Sequence, residues 1–183
     1  MKNYVHAVRP GLAFLAVAVL SLTPAMASTR TVRDSEEVFG FLAEAKSEAV
    51  QLQKSAEEMN SFAPYTTSWQ THAAKIEEIK RHVNKLGELV TKMNRAEAAS
   101  PWQQQAIGEV TSMVEELSAN VTMTIFHLNE NQDRLIFSSF PEYVAANAEL
   151  ATDMAQLISD YVAYGEAKQD VEELSFELGL PRS

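Results

Sequence analysis

The sequence predicts an all-α protein, an up-down-up-down antiparallel four-helix bundle with long helices. The first observation is the stretch 69–93, whose seam residues recur at spacings of three and four: Trp69, His72, Ile76, Ile79, Val83, Leu86, Val90 and Met93. A period of about 3.5 is typical of a helix that packs one seam against other helices. The other two observations are similar periodicity in three further stretches and the short breaks between them. An elongated array of helical hairpins, or a dimer of hairpins, is the alternative, because helices of about 26 to 38 residues are long for a small globular domain.

The first 27 residues have the layout of a secretory signal peptide. Lys2 and Arg9 form a basic start, residues 11–22 form an apolar run, and residues 24–27 supply a small-residue cleavage site before Ser28. The apolar run has 12 residues, fewer than the roughly 20 of a membrane span. We therefore expect cleavage after residue 27 and export to the periplasm or the extracellular space of a bacterium. An uncleaved signal anchor is the alternative.

The first predicted hairpin follows this leader. Segment 28–34 is polar, and we expect it to be flexible. Helix 1 is predicted over about 35–60, with Asp34 or Ser35 as its N-cap. The run Phe-Ala-Pro-Tyr at 62–65 ends it, because proline cannot continue the helical hydrogen-bond ladder. Helix 2 is predicted from 66–68 to about 98.

The second predicted hairpin begins at Ser100 and Pro101, an N-cap followed by proline at the first helical position. The seam of helix 3 runs on through Asn131 to Leu135, and Gly108 beside it is either a point of close approach or merely tolerated. Helix 4 is predicted over about 141–178, where Gly165 is expected to kink it. Its predicted seam consists of Tyr143, Asn147, Leu150, Met154, Leu157, Tyr161, Tyr164, Lys168, Val171 and Leu178. The bundle domain is therefore expected to span residues 35–180.

Composition restricts both the chemistry and the partners of the chain. The absence of cysteine excludes disulfides, thiol chemistry and cysteine metal ligands. Residues 28–183 carry 13 basic and 25 acidic side chains, a surface charge that repels nucleic acid and anionic lipid. We expect no nucleic-acid partner and no stable membrane insertion after signal cleavage. Cationic partners are compatible with this charge but are not required by it.

One layer of the predicted bundle breaks the apolar pattern. The turns at 62–65 and 138–140 share one end of such a bundle, and counting about eight residues from each reaches one seam residue per helix: Ala56, His72, Asn131 and Asn147. Aromatic residues gather at the same end. The candidate ligand-binding residues are therefore His72, Asn131, Asn147, Trp69 and Tyr143.

Two interpretations of this layer stay open. A buried histidine–asparagine network would fix the register of the helices, which is the best-attested use of polar seam residues. Alternatively, the three polar groups converge on a pocket that is walled by aromatic side chains. Polar groups buried without partners cost roughly 1–3 kcal/mol each, so the layer must be hydrogen-bonded, hydrated or liganded. A register error of three or four residues would dissolve it.

No motif in the chain indicates catalysis. The paired Glu-x-x-His motifs of di-iron bundles, a Gly-rich phosphate loop and a nucleophile elbow are all missing. Glu78 and His82 are predicted to form an exposed pair on one helix face, and haem held by His72 with Met59 or Met154 is geometrically possible. We expect no metal or cofactor and no enzymatic activity. The expected function is that of a non-catalytic protein-interaction or envelope scaffold module that binds a protein partner or a second copy of itself. The alternative is binding of a small ligand or cofactor, such as haem or a metal, at the aromatic-rich end of the bundle.

Overall fold

The structure, a computed structural model, describes residues 33–65 and 68–180. It consists there of four helices, α1 (Glu36–Phe62), α2 (Trp69–Arg95), α3 (Pro101–Glu130) and α4 (Phe140–Glu177), with a 3₁₀ turn at Leu135–Phe137. α1 and α3 each pack against both α2 and α4, which confirms the predicted all-α four-helix bundle. The predicted signal peptide and residues 28–32 of the polar segment lie outside the described residues. Within the described part of the chain, none of the helices carries an apolar stretch long enough to cross a membrane.

The helix starts agree with the capping residues in the sequence. The Ser35 hydroxyl accepts a hydrogen bond from the backbone N–H of Val38 at 3.3 Å, which settles Ser35 as the cap of α1. Ser68 caps α2 in the same way through the N–H of Thr71 at 3.4 Å. Such caps satisfy backbone donors that the first helical turn leaves unpaired. α1 ends at Phe62, two residues before Pro64 and two residues beyond its predicted end near residue 60.

Two helices end earlier than the sequence pattern predicts. α2 stops at Arg95, and Ala98 adopts a left-handed conformation with φ 64°, which no right-handed helix contains. α3 stops at Glu130, and Asn131 is its C-cap instead of a seam residue. The polar run that follows supplies no apolar side chain to the core. Leu135 still reaches the core, because the separate 3₁₀ turn buries it.

The buried face of α4 differs from the predicted seam. Asn147 and Met154 are buried as expected, but Leu150, Leu157 and Tyr161 are only half-buried. The residues that face the core are Phe140, Val144, Asn147, Ala148, Ala151, Met154, Ala155, Ile158, Val162 and Gly165. The three alanines allow neighbouring helices to approach closely, while the larger side chains cover the flanks of the contact. The prediction chose the large apolar residues as the seam, whereas the centre of the buried face consists of the alanines.

A buried glutamine joins the starts of α1 and α3. The Gln103 Oε1 atom accepts hydrogen bonds from the backbone N–H groups of Ser35 at 2.8 Å and Ser100 at 3.0 Å. Its Nε2 atom donates to the carbonyl oxygen of Ser35 at 2.9 Å. A side chain with no solvent exposure is thereby satisfied, and two helix starts are held at the same end of the bundle.

Gly165 allows a close approach between helices and does not interrupt α4, which runs unbroken through it. A Cβ atom at this position would lie 2.5 Å from Cε2 of Phe39 and 3.0 Å from the Trp102 ring. Gly108, by contrast, has open space where its Cβ would be, so it is a tolerated glycine and not a close-approach point.

We expect Gly165→Ala and Gly108→Ala to change stability in opposite directions. Alanine favours a helix interior by about 1 kcal/mol over glycine, and at Gly108 nothing opposes that gain. At Gly165 the new methyl group must displace Phe39 or Trp102, and overpacking of this kind typically costs about 1–3 kcal/mol. Urea unfolding of both variants measures the difference. A stabilised Gly165→Ala variant would show that the aromatic pair is not held tightly against α4.

Candidate functional site

His72 lies one turn into α2 and is fully excluded from solvent. Its ring lies between Phe62 of α1, at a centroid distance of 5.2 Å, and Phe140 of α4, at 4.9 Å and edge-on. Neither ring nitrogen has a hydrogen-bond partner among the described residues. The seam spacing correctly placed His72 in the core, and the structure surrounds it with aromatic side chains that cannot serve as ordinary hydrogen-bond partners.

Burial without a polar partner determines the protonation of this histidine. Loss of hydration lowers the pKa of His72 below its ordinary value of 6.5, because the charged imidazolium is the form that burial disfavours. The neutral ring still has one donor and one acceptor, and leaving such groups unsatisfied costs about 1–3 kcal/mol. His72 is therefore a neutral, destabilising group at the centre of one end of the bundle.

Asn147 belongs to a different set of contacts from the one predicted. Its Oδ1 atom accepts a hydrogen bond from Nδ2 of Asn120 at 2.8 Å, and its own Nδ2 donates to Oγ1 of Thr124 at 2.7 Å. Nδ2 of Asn120 also donates to the carbonyl oxygen of Tyr143 at 3.1 Å. These bonds join α3 to α4 and satisfy the side chain of Asn147, which is 2% exposed. The polar layer is thus a two-helix network that does not include His72.

Asn131 does not reach the core. It is the C-cap of α3, and its Nδ2 atom donates to the carbonyl oxygen of His127 at 3.0 Å. Its side chain is half-buried, whereas Ala56, His72 and Asn147 are buried. Three of the four predicted layer residues are therefore inside the bundle. The fourth lies outside because the helix ends one residue too early to continue the seam.

The aromatic residues at this end form a partly exposed rim. Trp69 is 37% exposed at the first position of α2. Tyr143 is half-buried and stacks on His127 at a centroid distance of 4.4 Å, and the ring of Phe126 lies edge-on to that histidine at 5.8 Å. Phe62 and Phe140, and not this rim, cover His72. The structure thus brings Tyr143 close to the Asn147 network through Asn120, while Trp69 remains at the edge.

The residues considered as haem ligands lie inside the packed core. His72, Met59 and Met154 are all fully buried within the packed core, so a haem would need space that core side chains occupy. Within the described residues, no group of three or more His, Asp or Glu side chains is placed to hold a metal ion. Instead of the predicted pair between Glu78 and His82, Nδ1 of His82 lies 2.6 Å from Oε1 of Glu48 on α1.

Asn120 and Gln103 were missed by the sequence reasoning. Asn120 lies next to the seam residue Val121, and in an antiparallel α3–α4 pair it is at the height of Asn147. A polar residue with low helix propensity in mid-helix was the available signal. Gln103 is the third residue of its helix, and the capping-box pattern that it forms with Ser100 was visible in the sequence. Its bonds to Ser35 depend on the tertiary fold.

We expect His72→Leu to stabilise the protein and to reduce its acid sensitivity. Removal of the unsatisfied imidazole should raise the free energy of unfolding near neutral pH by about 1–2 kcal/mol. In the wild type the unfolded chain binds a proton at His72 more readily than the folded chain does, because the folded pKa is lowered. Stability is therefore complete above the unfolded pKa of about 6.5 and is lost as the pH falls below it towards the folded pKa.

Urea unfolding of both proteins between about pH 8 and pH 5 tests this expectation. The two proteins differ only at position 72, so the difference between their pH profiles reports on His72 alone. An identical loss of stability in both proteins would mean that His72 is solvated or partnered in solution.

Comparison of the chain with protein-family models, with curated proteins and with solved structures finds no match.

Proposed function

We propose that this chain is an exported, non-catalytic protein-interaction module that uses the end of α4 to bind another protein. The observation that carries the proposal is an apolar surface on residues 166–180, here called the α4 extension. Gly165 is the last buried position of α4, and none of the fifteen residues after it is buried. Five large apolar side chains of the extension are more than half exposed: Val171, Leu174, Phe176, Leu178 and Leu180.

The spacing of these residues fits contact with a helix. Val171, Leu174 and Leu178 recur at intervals of three and four, as the seams inside the bundle do. Most helices in proteins are stable because one face packs against a neighbour, and contiguous exposed apolar patches commonly mark protein interaction sites. The base of the extension is anchored, because Nζ of Lys168 forms an ion pair with Asp34 at 2.8 Å. The apolar seam thus follows an anchored segment of α4, and its exposed side chains are accessible to a partner helix.

Charge favours another protein over a second copy of this chain. The extension has one basic residue, Lys168, against five acidic ones: Glu166, Asp170, Glu172, Glu173 and Glu177. Pairing two copies through this segment would oppose like charges around the apolar seam, which disfavours that complex. A partner helix with basic flanks would meet complementary charge. The signal-peptide layout of residues 1–27 is the basis for placing this interaction outside the cytoplasm.

We expect the triple variant Val171→Ser, Leu174→Ser, Leu178→Ser to lose partner binding without losing stability. The three side chains are exposed, so each substitution should change the free energy of unfolding by at most about 0.5 kcal/mol. A photo-crosslinking amino acid at Phe176 should give a covalent adduct in producing cells, and the triple variant should abolish it. Thermal unfolding of the two proteins provides the stability comparison.

Val50→Ser and Phe137→Ser are matched controls, because both replace exposed apolar side chains elsewhere. Each should leave the adduct unchanged. An adduct that survives the triple substitution would refute the role of the extension. An adduct with the mass of two copies would show that the extension binds a second copy of this chain and not a different protein.

A second candidate function is binding of a small ligand at the end of the bundle that contains His72. The two unpartnered nitrogens of His72 are the observation that favours it, because a ligand with a donor and an acceptor would satisfy them. Native mass spectrometry of the protein purified from a bacterial periplasm should then show a mass above that of the chain. This excess mass should disappear on denaturation and be absent from His72→Leu. A bare chain in both samples would exclude a stably bound ligand at this position.

A further inference from the structure

Charge is distributed very unevenly between the two halves of the bundle. α1 and α2 together carry nine acidic and eight basic side chains. α3 and α4 together carry thirteen acidic side chains and one basic one, Lys168. Because α3 and α4 pack side by side, nearly the whole net charge of the helices lies on one half of the molecule.

The ion pairs of the described residues follow the same division. Lys75 pairs with Glu58 and Glu78, Lys80 with Glu77, and Lys85 with Glu44, all within the α1–α2 half. In the α3–α4 half, the described residues form ion pairs only through Lys168. The remaining carboxylates of α3 and α4 form no ion pair among the described residues.

A groove of about 550 Å³ lies in this acidic half, between α3 and α4. Three carboxylates, Glu116, Glu149 and Asp153, line it together with the apolar side chains of Met123 and Leu150. Met123 is 42% exposed, and Leu150 is half-buried. The small side chains of two alanines leave space between the helices, and no Lys or Arg lines the groove. An apolar surface bordered by unpaired negative charge is the result.

The floor of this groove is fixed by the buried polar network. Asn120 lines the groove and also donates hydrogen bonds to Asn147 and to the backbone of Tyr143. These bonds tie α3 to α4 beside the groove, so the two helices that form its walls hold a defined register. A binding surface that is already formed requires less ordering when a partner binds.

We propose that this groove binds a basic amphipathic segment of a partner protein. The inference rests on the proposed function and names the partner's chemistry and a second contact surface. Lys or Arg side chains of the segment pair with Glu116, Glu149 and Asp153. An apolar side chain lies between the helices against Met123, whose flexible thioether adapts to different partners. Helices that present one basic and one apolar face have this arrangement.

Charge complementarity selects this occupant. The partner must be cationic, because the groove is acidic and within the described residues its carboxylates form no ion pairs. In this chain the densest basic surface is on α2, where Lys75, Lys80 and Lys85 are paired with glutamates, while the other three cations of the helix form no ion pair among the described residues: Arg81, Lys92 and Arg95. A second copy would bring its own excess of negative charge towards the groove, since residues 28–183 carry 25 acidic and 13 basic side chains, and this repulsion disfavours self-association.

A direct test uses a fluorescein-labelled helical peptide of lysine and leucine with one basic and one apolar face. Its affinity is measured by fluorescence anisotropy at low ionic strength. The triple variant Glu116→Gln, Glu149→Gln, Asp153→Asn should bind about tenfold more weakly, since each exposed ion pair contributes a few tenths to 1 kcal/mol. The control variant Glu36→Gln, Glu88→Gln, Glu97→Gln removes the same number of charges elsewhere and should bind like the wild type. Added salt should weaken wild-type binding more than that of the groove variant.

Met123→Ser isolates the apolar contribution, with Val50→Ser as the matched control at similar exposure. We expect a several-fold loss of affinity for Met123→Ser alone. Equal binding by the two charge variants, or equal binding of a peptide with the same composition in scrambled order, would overturn the proposal, because only general charge attraction would remain. Salt-sensitive self-association of the protein that the groove variant abolishes would assign the groove to a second copy instead.

The two proposals fail separately. If the groove variant binds the peptide like the wild type while the adduct at Phe176 still forms, the groove is refuted as a binding site and the proposed interaction module stands. If no adduct forms at Phe176 but the peptide still binds the groove, the α4 extension is refuted as a partner-binding surface. If both tests fail, the proposed function is refuted as well.

Discussion

The structure depends on each helix burying one face against two neighbours without any covalent crosslink. The chain has no cysteine, so packing of the seams must supply its stability without help from disulfides. Small residues make this packing possible. Ala45, Ala49 and Ala56 of α1 are essentially unexposed, and Gly165 lets α4 approach the aromatic residues of α1 and α3. Close approach of this kind maximises dispersion contacts between backbones as well as between side chains.

Buried polar groups divide into those that position helices and one that does not. Gln103 uses both ends of its amide to hold the starts of α1 and α3, and Asn147 joins α3 to α4. Two apolar seams can still pack if one helix shifts by a turn. The hydrogen bonds of a buried amide, by contrast, form only in one register of the helices. His72 has the burial of these residues but none of their bonds. It therefore adds a cost to the folded state and makes that cost depend on pH.

The sequence predicted most of the fold because helical periodicity and capping residues are local signals. The four helices, the cap Ser35 and the break before Pro64 follow from residues within a few positions of each other. The errors arose where the outcome depends on tertiary contacts. The centre of the α4 seam was misplaced because Ala148, Ala151 and Ala155 carry little periodic signal. The candidate site was predicted only in part, for the same reason. Spacing correctly predicted that His72 and Asn147 are buried. It could not predict the hydrogen-bond partners of Asn147, because these lie on another helix. The early end of α3, which removed Asn131 from the layer, lies within the usual uncertainty of a predicted helix boundary.

Helix α4 links the two surfaces that we propose for binding. It forms one wall of the acidic groove and then continues past the bundle as the α4 extension, so both surfaces lie along one continuous helix. Charge of one sign along that length cannot stabilise the isolated chain, because like charges repel and few cations are present to offset them. Such a distribution is expected where a partner supplies the opposite charge. The same carboxylates that weaken the free protein then increase the rate of encounter with a cationic helix, and the apolar residues between them determine how long it stays bound.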